Sequence, residues 1–275
     1  MKIKSLALLA LIIPACHLNV IYPWHVFCDP ANFLIEVDVL SFFKDEIGIY
    51  SGITYTLFGG SPTKLKEKIF ASLDQLGAQT CAPELMVRDP EGHVLPQLLC
   101  DFLSDKIDVE DTRKKAVSHL HKSHKKGKER DIMENITTAV FDPKKLAYHT
   151  KTVNKGLALV EEIRKKHGED SVFILANFNK DTILKLLAEK DMQPLAALFP
   201  RKNIFVSGMM KELLPSKGCF ERVLKLRNLA PDQCLFITSM PFHAQSAREI
   251  GMKVILVQNG DLKKVHHEVK ALGII

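Results

Sequence analysis

The sequence predicts an α/β fold: a doubly wound parallel sheet with a mainly helical cap inserted after the first strand. Three observations predict it. Short apolar runs rich in β-branched residues alternate with amphipathic helical segments from residue 152 to 262. One more such run, Phe33 to Val39, stands far upstream, and the stretch 44–151 between them has helical patterning. The chain has 275 residues, of which 46% are hydrophobic, enough to bury a large core and a small second one without disulfides or metals.

Each element follows from its local pattern. Phe33-Leu34-Ile35-Glu36-Val37-Asp38-Val39 reads as a fully buried parallel strand ending in acids. Pro62 to Phe70 reads as a helix with Ser61 or Thr63 near its cap. Arg88 to Gly92 is a turn, and Leu95 to Leu103 a helix. Further on, Gly156 to Lys166 is an amphipathic helix closed by His167-Gly168. Strands are expected at Val172–Ala176, Ile204–Val206, Cys234–Ile237 and Lys253–Val257. Helices separate them at Asp181–Lys190, Gly218–Arg227 and Phe242–Ile250. The domain reading is a core of 30–43 and 152–262, a cap of 44–151, and a C-terminal helix or tail of 263–275.

Residues 1–16 read as an export signal. Two lysines precede an apolar stretch from Ser5 to Pro14, too short to span a membrane. Ile13-Pro14-Ala15-Cys16 also resembles a bacterial lipoprotein box, with Cys16 as the lipidated residue. The alternatives are an ordinary cleaved signal and an uncleaved helix. The expectation is therefore an exported protein, periplasmic or secreted, whose only membrane link is a lipid anchor at Cys16. No apolar run of about 18 residues lies further on, which excludes a polytopic membrane protein. The cysteines beyond Cys16 have no CxxC spacing, which argues against zinc. They are expected as small buried hydrophobes, with Cys81 and Cys100 the local pair should a disulfide form.

In a doubly wound sheet, ligands sit at the carboxyl ends of the strands. The residues there are Glu36 and Asp38, Ala176 and Asn177, Ser207, and Thr238 and Ser239. These strand ends resemble the haloacid dehalogenase-like hydrolase superfamily. Leu214-Pro215 with Phe220, the approach Leu229 to Ile237, and the exit Ala247-Arg248 then Gly251 to Val257 carry the resemblance. It covers about residues 32–43 and 152–260, and the intervening insert stands where that family places a mobile cap.

The resemblance implies a phosphotransfer site of Asp-x-Asp, a Ser or Thr, a Lys and acids that hold Mg²⁺. In this sequence the nucleophile place falls on Glu36 and the acid/base place on Asp38, the pair that would also hold Mg²⁺. The hydroxyl place holds Ala176, followed by Asn177. The Lys place falls on Leu214, with Lys217 or Lys211 as the substitutes. The metal-binding acid becomes Ser239 after Thr238, and His243 stands four residues on. Phosphoryl transfer needs a positive surround for its equatorial oxygens, so these replacements remove most of the chemistry. The expected function is a catalytically impaired exported protein that acts by binding a protein or an anionic ligand, without a cofactor. Asn177, Thr238 and Ser239 are the expected anion contacts. The competing reading is a Mg²⁺-dependent phosphohydrolase of phosphorylated small molecules, using Glu36, Asp38 and Lys217.

Residues 113–130 hold eight Lys or Arg against one Glu. No aromatics interleave for base stacking, so a solvated face is expected and no specific nucleic acid. His119, His121 and His124 lack a completing acid or Cys for a metal site. Asn135-Ile136-Thr137 is a glycosylation sequon, and His266-His267 reads as a surface pair.

Overall fold

The computed structural model describes residues 23–48, 62–74, 87–89 and 92–275. A five-stranded sheet has the order β5-β4-β1-β6-β7, with every neighbouring pair parallel. The strands are β1 (His25–Cys28), β4 (Val172–Ala176), β5 (Ile204–Val206), β6 (Cys234–Thr238) and β7 (Lys253–Leu256). The last four lie where the sequence predicts them.

The first strand does not. The central strand is β1, whose Val26, Phe27 and Cys28 pair with Val172, Phe173 and Ile174 of β4 and with Leu235, Phe236 and Ile237 of β6. The expected buried parallel strand over Phe33–Val39 is instead the short strand β2 (Ile35–Val37). It pairs antiparallel with β3 (Thr150–Thr152) in a separate two-stranded ribbon. The physical reason is a sharp turn between the two. After Asp29 the amides of Phe33, Leu34 and Ile35 all donate to the Pro30 carbonyl, and Asn32 adopts a left-handed conformation (φ 59°). Phe33, Leu34 and Ile35 are buried as loop and ribbon residues, while Glu36 and Val37 face out.

Side chains alternate across the sheet with period two. Val26, Cys28, Ile174, Ala176, Leu235 and Ile237 enter one core cluster. There they meet Leu159, Val160 and Ile163 of a helix over Asn154–His167 and Val265 and Val269 of a helix over Leu262–Ala271. Phe27, Phe173, Leu175 and Phe236 enter the opposite cluster. Their partners are Phe220 and Val223 of a helix over Lys217–Arg227 and Ala247 of a helix over Pro241–Glu249. Both faces are covered, as a parallel sheet requires. The C-terminal helix is thus part of the core layer.

Among the described residues of the insert, a short π-helix over Phe43–Ile47 precedes five α-helices: α1 (Pro62–Asp74), α2 (Gln97–Leu103), α3 (Val109–Ser123), α4 (Lys128–Val140) and α5 (Pro143–Tyr148). They have their own core of Leu65, Ile69, Phe102, Leu120, Met133 and Phe141, among others. Asp108 caps α3 by accepting from the amides of Glu110 and Asp111, and Asp142 caps α5 in the same way. The insert docks on the strand ends. Asn179 Nδ2 donates to the Phe102 carbonyl (3.0 Å) and to Asp105 (3.1 Å), and Ser207 Oγ donates to the Leu103 carbonyl (2.7 Å).

Cys28, Cys100, Cys219 and Cys234 are buried thiols outside any disulfide, and Cys100 and Cys234 donate to the Leu95 and Ala230 carbonyls. Burial pushes the Cys219 and Cys234 thiols up to about 12. Cys81, Cys16 and the stretch 1–16 expected to be an export signal lie outside the described residues. Among the described residues no helix is long and apolar enough to cross a membrane.

Candidate functional site

The carboxyl end of β1 is where a doubly wound sheet reverses its strand order, and the residue there is Asp29. Its amide donates to the Ile237 carbonyl (2.8 Å), which fixes the backbone against β6. Its carboxylate is 4% exposed and faces the end of that neighbouring strand. Thr238 Oγ1 donates to Asp29 Oδ2 (2.9 Å), and His243 Nδ1 lies 3.1 Å from the same oxygen. A carboxylate only accepts, so the Nδ1–H tautomer of His243 donates here. His243 is 3% exposed, and its Nε2 has no hydrogen-bond partner. Thr238 Oγ1 in turn accepts from the Met240 amide (3.0 Å), which ties the triad to the start of the helix over Pro241–Glu249.

Two residues beyond Asp29 stands Ala31, whose carbonyl accepts from Ser239 Oγ (3.0 Å). Asn32, held left-handed, brings its amide to 3.5 Å from Ser239 Oγ. These groups border an open cleft of about 670 Å³ whose polar lining is Asn32, Glu36, Ser239, Gln258 and Asn259. The cleft has one carboxylate and no lysine or arginine among the residues that line it.

The residues singled out in the sequence fall in different places. Ser239 and Glu36 share the cleft, and Thr238 lies beneath it on Asp29. Glu36 and Asp38 are on the ribbon rather than at a strand end of the sheet, within 3.5 Å and 3.8 Å of Lys151. Asn177 is engaged elsewhere: its amide clamps Leu214, donating to the carbonyl (2.9 Å) and accepting from the N–H (2.8 Å). Leu214 is fully buried ahead of a cis Leu214–Pro215 bond, so the family's lysine place is part of the apolar core. Neither substitute reaches in. Lys217 pairs with Glu249 (2.9 Å) on the surface, and Lys211 pairs with Asp105 (2.6 Å) of the insert. Sequence reasoning missed Asp29. The available signal was the short apolar run Val26-Phe27-Cys28 ending at an acid and a proline, close behind the presumed leader.

Magnesium needs hard oxygen ligands, carboxylates foremost, in near-octahedral array. The strand ends that meet at Asp29 offer this one carboxylate, with hydroxyls at Thr238 and Ser239 and an imidazole at His243. Asp29 Oδ2 is already engaged twice, and an imidazole is a soft neighbour for this ion. Among the described residues no group of three His, Cys, Asp or Glu stands close enough to hold a metal. The residues present do not fit magnesium.

The solved structures that resemble this chain decide the architecture. A predicted HAD-like family hydrolase from Porphyromonas gingivalis superposes with a TM-score of 0.53 at 15% identity, over 91% of this chain and 98% of that one. A HAD family enzyme from Bacteroides thetaiotaomicron, solved as a magnesium complex, gives 0.52 at 13% identity over 86% and 94%. A dehalogenase gives 0.52 at 11% identity over 92% and 98%. The fold is that of the haloacid dehalogenase-like hydrolases. No family model matches the sequence, and no curated protein matches it. Asp29 ends the central strand of this sheet and is followed by Pro30 and Ala31, whereas Glu36 and Asp38 stand on and just past the ribbon.

Proposed function

We propose that this chain is an exported HAD-fold protein that acts by binding and has lost phosphoryl transfer. One observation carries the reading: Asp29, at the end of the central strand where we place the family's first motif aspartate, is buried and held by Thr238 and His243, with Ala31 at the place of the second aspartate. Ala31 offers no acid/base group, Ala176 no hydroxyl and Leu214 no cation. A developing trianionic transition state would meet neither a lysine nor a fitting metal site, and such electrostatic support is the largest single contribution to this kind of chemistry. The leader pattern before residue 17 supports export. No cofactor belongs to this reading. Binding falls to the cleft beside Asn32 and Ser239, whose amides and hydroxyl orient a ligand by hydrogen bonds. An anion is disfavoured there by Glu36, so the expected anion contacts Asn177, Thr238 and Ser239 reduce to Ser239.

The competing hydrolase of phosphorylated small molecules draws its support from Asp29 and from Glu36 and Asp38, which share Lys151 (3.5 and 3.8 Å) on the exposed ribbon, while Lys217 pairs with Glu249. The test is phosphate release from a panel of phosphomonoesters with Mg²⁺, wild type beside Asp29→Asn. Equal background release from both is expected. Turnover that the substitution abolishes would restore the hydrolase.

A further inference from the structure

Residues 113–130 carry eight Lys or Arg and one Glu, a surplus of seven that exceeds the net charge of +6 of the entire chain. The rest of the molecule is therefore slightly negative. Arg113, Lys114 and Lys115 lie in the first half of α3, and the other five cations gather about the turn of a helical hairpin. Helices α3 and α4 pack on each other, joined by residues 124–127. Lys122 ends α3, Lys125 and Lys126 lie in the turn, and Lys128 begins α4. All four are exposed.

Helix stability accounts for only part of this placement. Lys122 sits favourably at the carboxyl end of α3, but Lys128 occupies the first position of α4, where the helix dipole repels a cation. Gly127 provides no side-chain cap there. No ion pair is formed by Lys122, Lys125, Lys126 or Lys128 among the described residues, whereas the segment's arginines are engaged: Arg113 with Glu110 and Asp142, Arg130 with Asp131. What faces solvent is a cluster of unpaired ammonium point charges, with no arginine fork and no aromatic ring. That chemistry suits a diffuse anionic surface better than a base-stacking or bidentate phosphate contact. A groove of about 590 Å³ runs from Lys122 along the hairpin, with Arg113 and Lys114 on its lining and Glu134 held there by His121.

We propose that the turn of the α3–α4 hairpin is a docking face for an anionic lipid bilayer, with Lys122, Lys125, Lys126 and Lys128 as its contacts. It is independent of what the cleft binds. The probes are vesicles of phosphatidylcholine alone and of phosphatidylcholine with phosphatidylglycerol, with duplex DNA as the rival polyanion. The comparison is the full chain against the same chain carrying K122E, K125E, K126E and K128E, so any contribution of the N-terminal segment cancels. These exposed positions leave the fold intact, which circular dichroism checks. The expected result is sedimentation with the anionic vesicles only, at least about tenfold weaker in the quadruple variant. Binding is also expected to fade between ~0.05 M and ~0.3 M salt as the charges are screened. Equal binding to neutral vesicles, or no loss in the variant, would overturn the proposal. So would tighter lysine-dependent binding to DNA than to vesicles at one salt concentration.

Discussion

Gly156 shows at the residue scale how tightly the site is built. It opens the helix over Asn154–His167 against the turn after Asp29, and a Cβ there would lie 1.8 Å from the Phe33 carbonyl oxygen. Gly156→Ala must push apart backbone atoms, and a loss of about 3 kcal/mol by denaturant unfolding is expected. Gly127→Ala is the control, because no atom lies within 4 Å of its Cβ and its φ of 165° is extended. It should cost nothing measurable. Asn177 makes the second residue-scale prediction. Its two bonds hold the Leu214 backbone, so Asn177→Ala should destabilise by about 1–3 kcal/mol by denaturant unfolding. The sequence placed Asn177 at a strand end correctly and could not reveal that its amide is turned toward Leu214, because the clamp depends on a segment 37 residues away.

At the scale of elements, four of the five strands and the helices between them were readable because each carries its own period and its own cap or breaker. Val172–Ala176 and Cys234–Thr238 are fully buried apolar runs, and Gly168 and Gly251 stop their helices at left-handed φ. The central strand was not readable in the same way. His25–Cys28 has four residues and no alternation, and it borders the presumed leader. Its nature is set by two flanking strands far along the chain. The longer run Phe33–Val39 looked better locally, but the Pro30–Asn32 turn diverts it into the ribbon.

The insert also makes a pH prediction. Burial acts to raise the Asp89 carboxyl, but bonds from Lys66 and His93 outweigh it and bring it to about 2. Glu46 is likewise lowered, because bonds from Lys145 and His149 overcome its burial. A depressed carboxyl contributes stability that is present above its ordinary value of 3.8 and is lost as pH falls toward about 2. Protection of amides from exchange, relative to their intrinsic rate at each pH, should therefore fall more in α1–α5 than in the sheet strands over that window. An equal fall in both would show that these pairs do not support the insert.

For the whole molecule, an all-parallel sheet with β1 at its centre converges five strand ends on one edge, where doubly wound sheets hold their ligands. The fold was legible, since its later strands and helices each carry their own local period. The acid at the end of the central strand was not, because it depends on which strand is central. On the proposed reading Asp29 serves the structure by pairing with Thr238 and His243. The direct measurement is the equilibrium unfolding free energy of Asp29→Ala against wild type. Removing the carboxylate leaves a buried hydroxyl and a buried imidazole without their partner, so a loss of about 1–3 kcal/mol is predicted. Catalytic groups are often held at the expense of stability. A variant as stable as wild type, or more stable, would contradict the account and return Asp29 to chemistry.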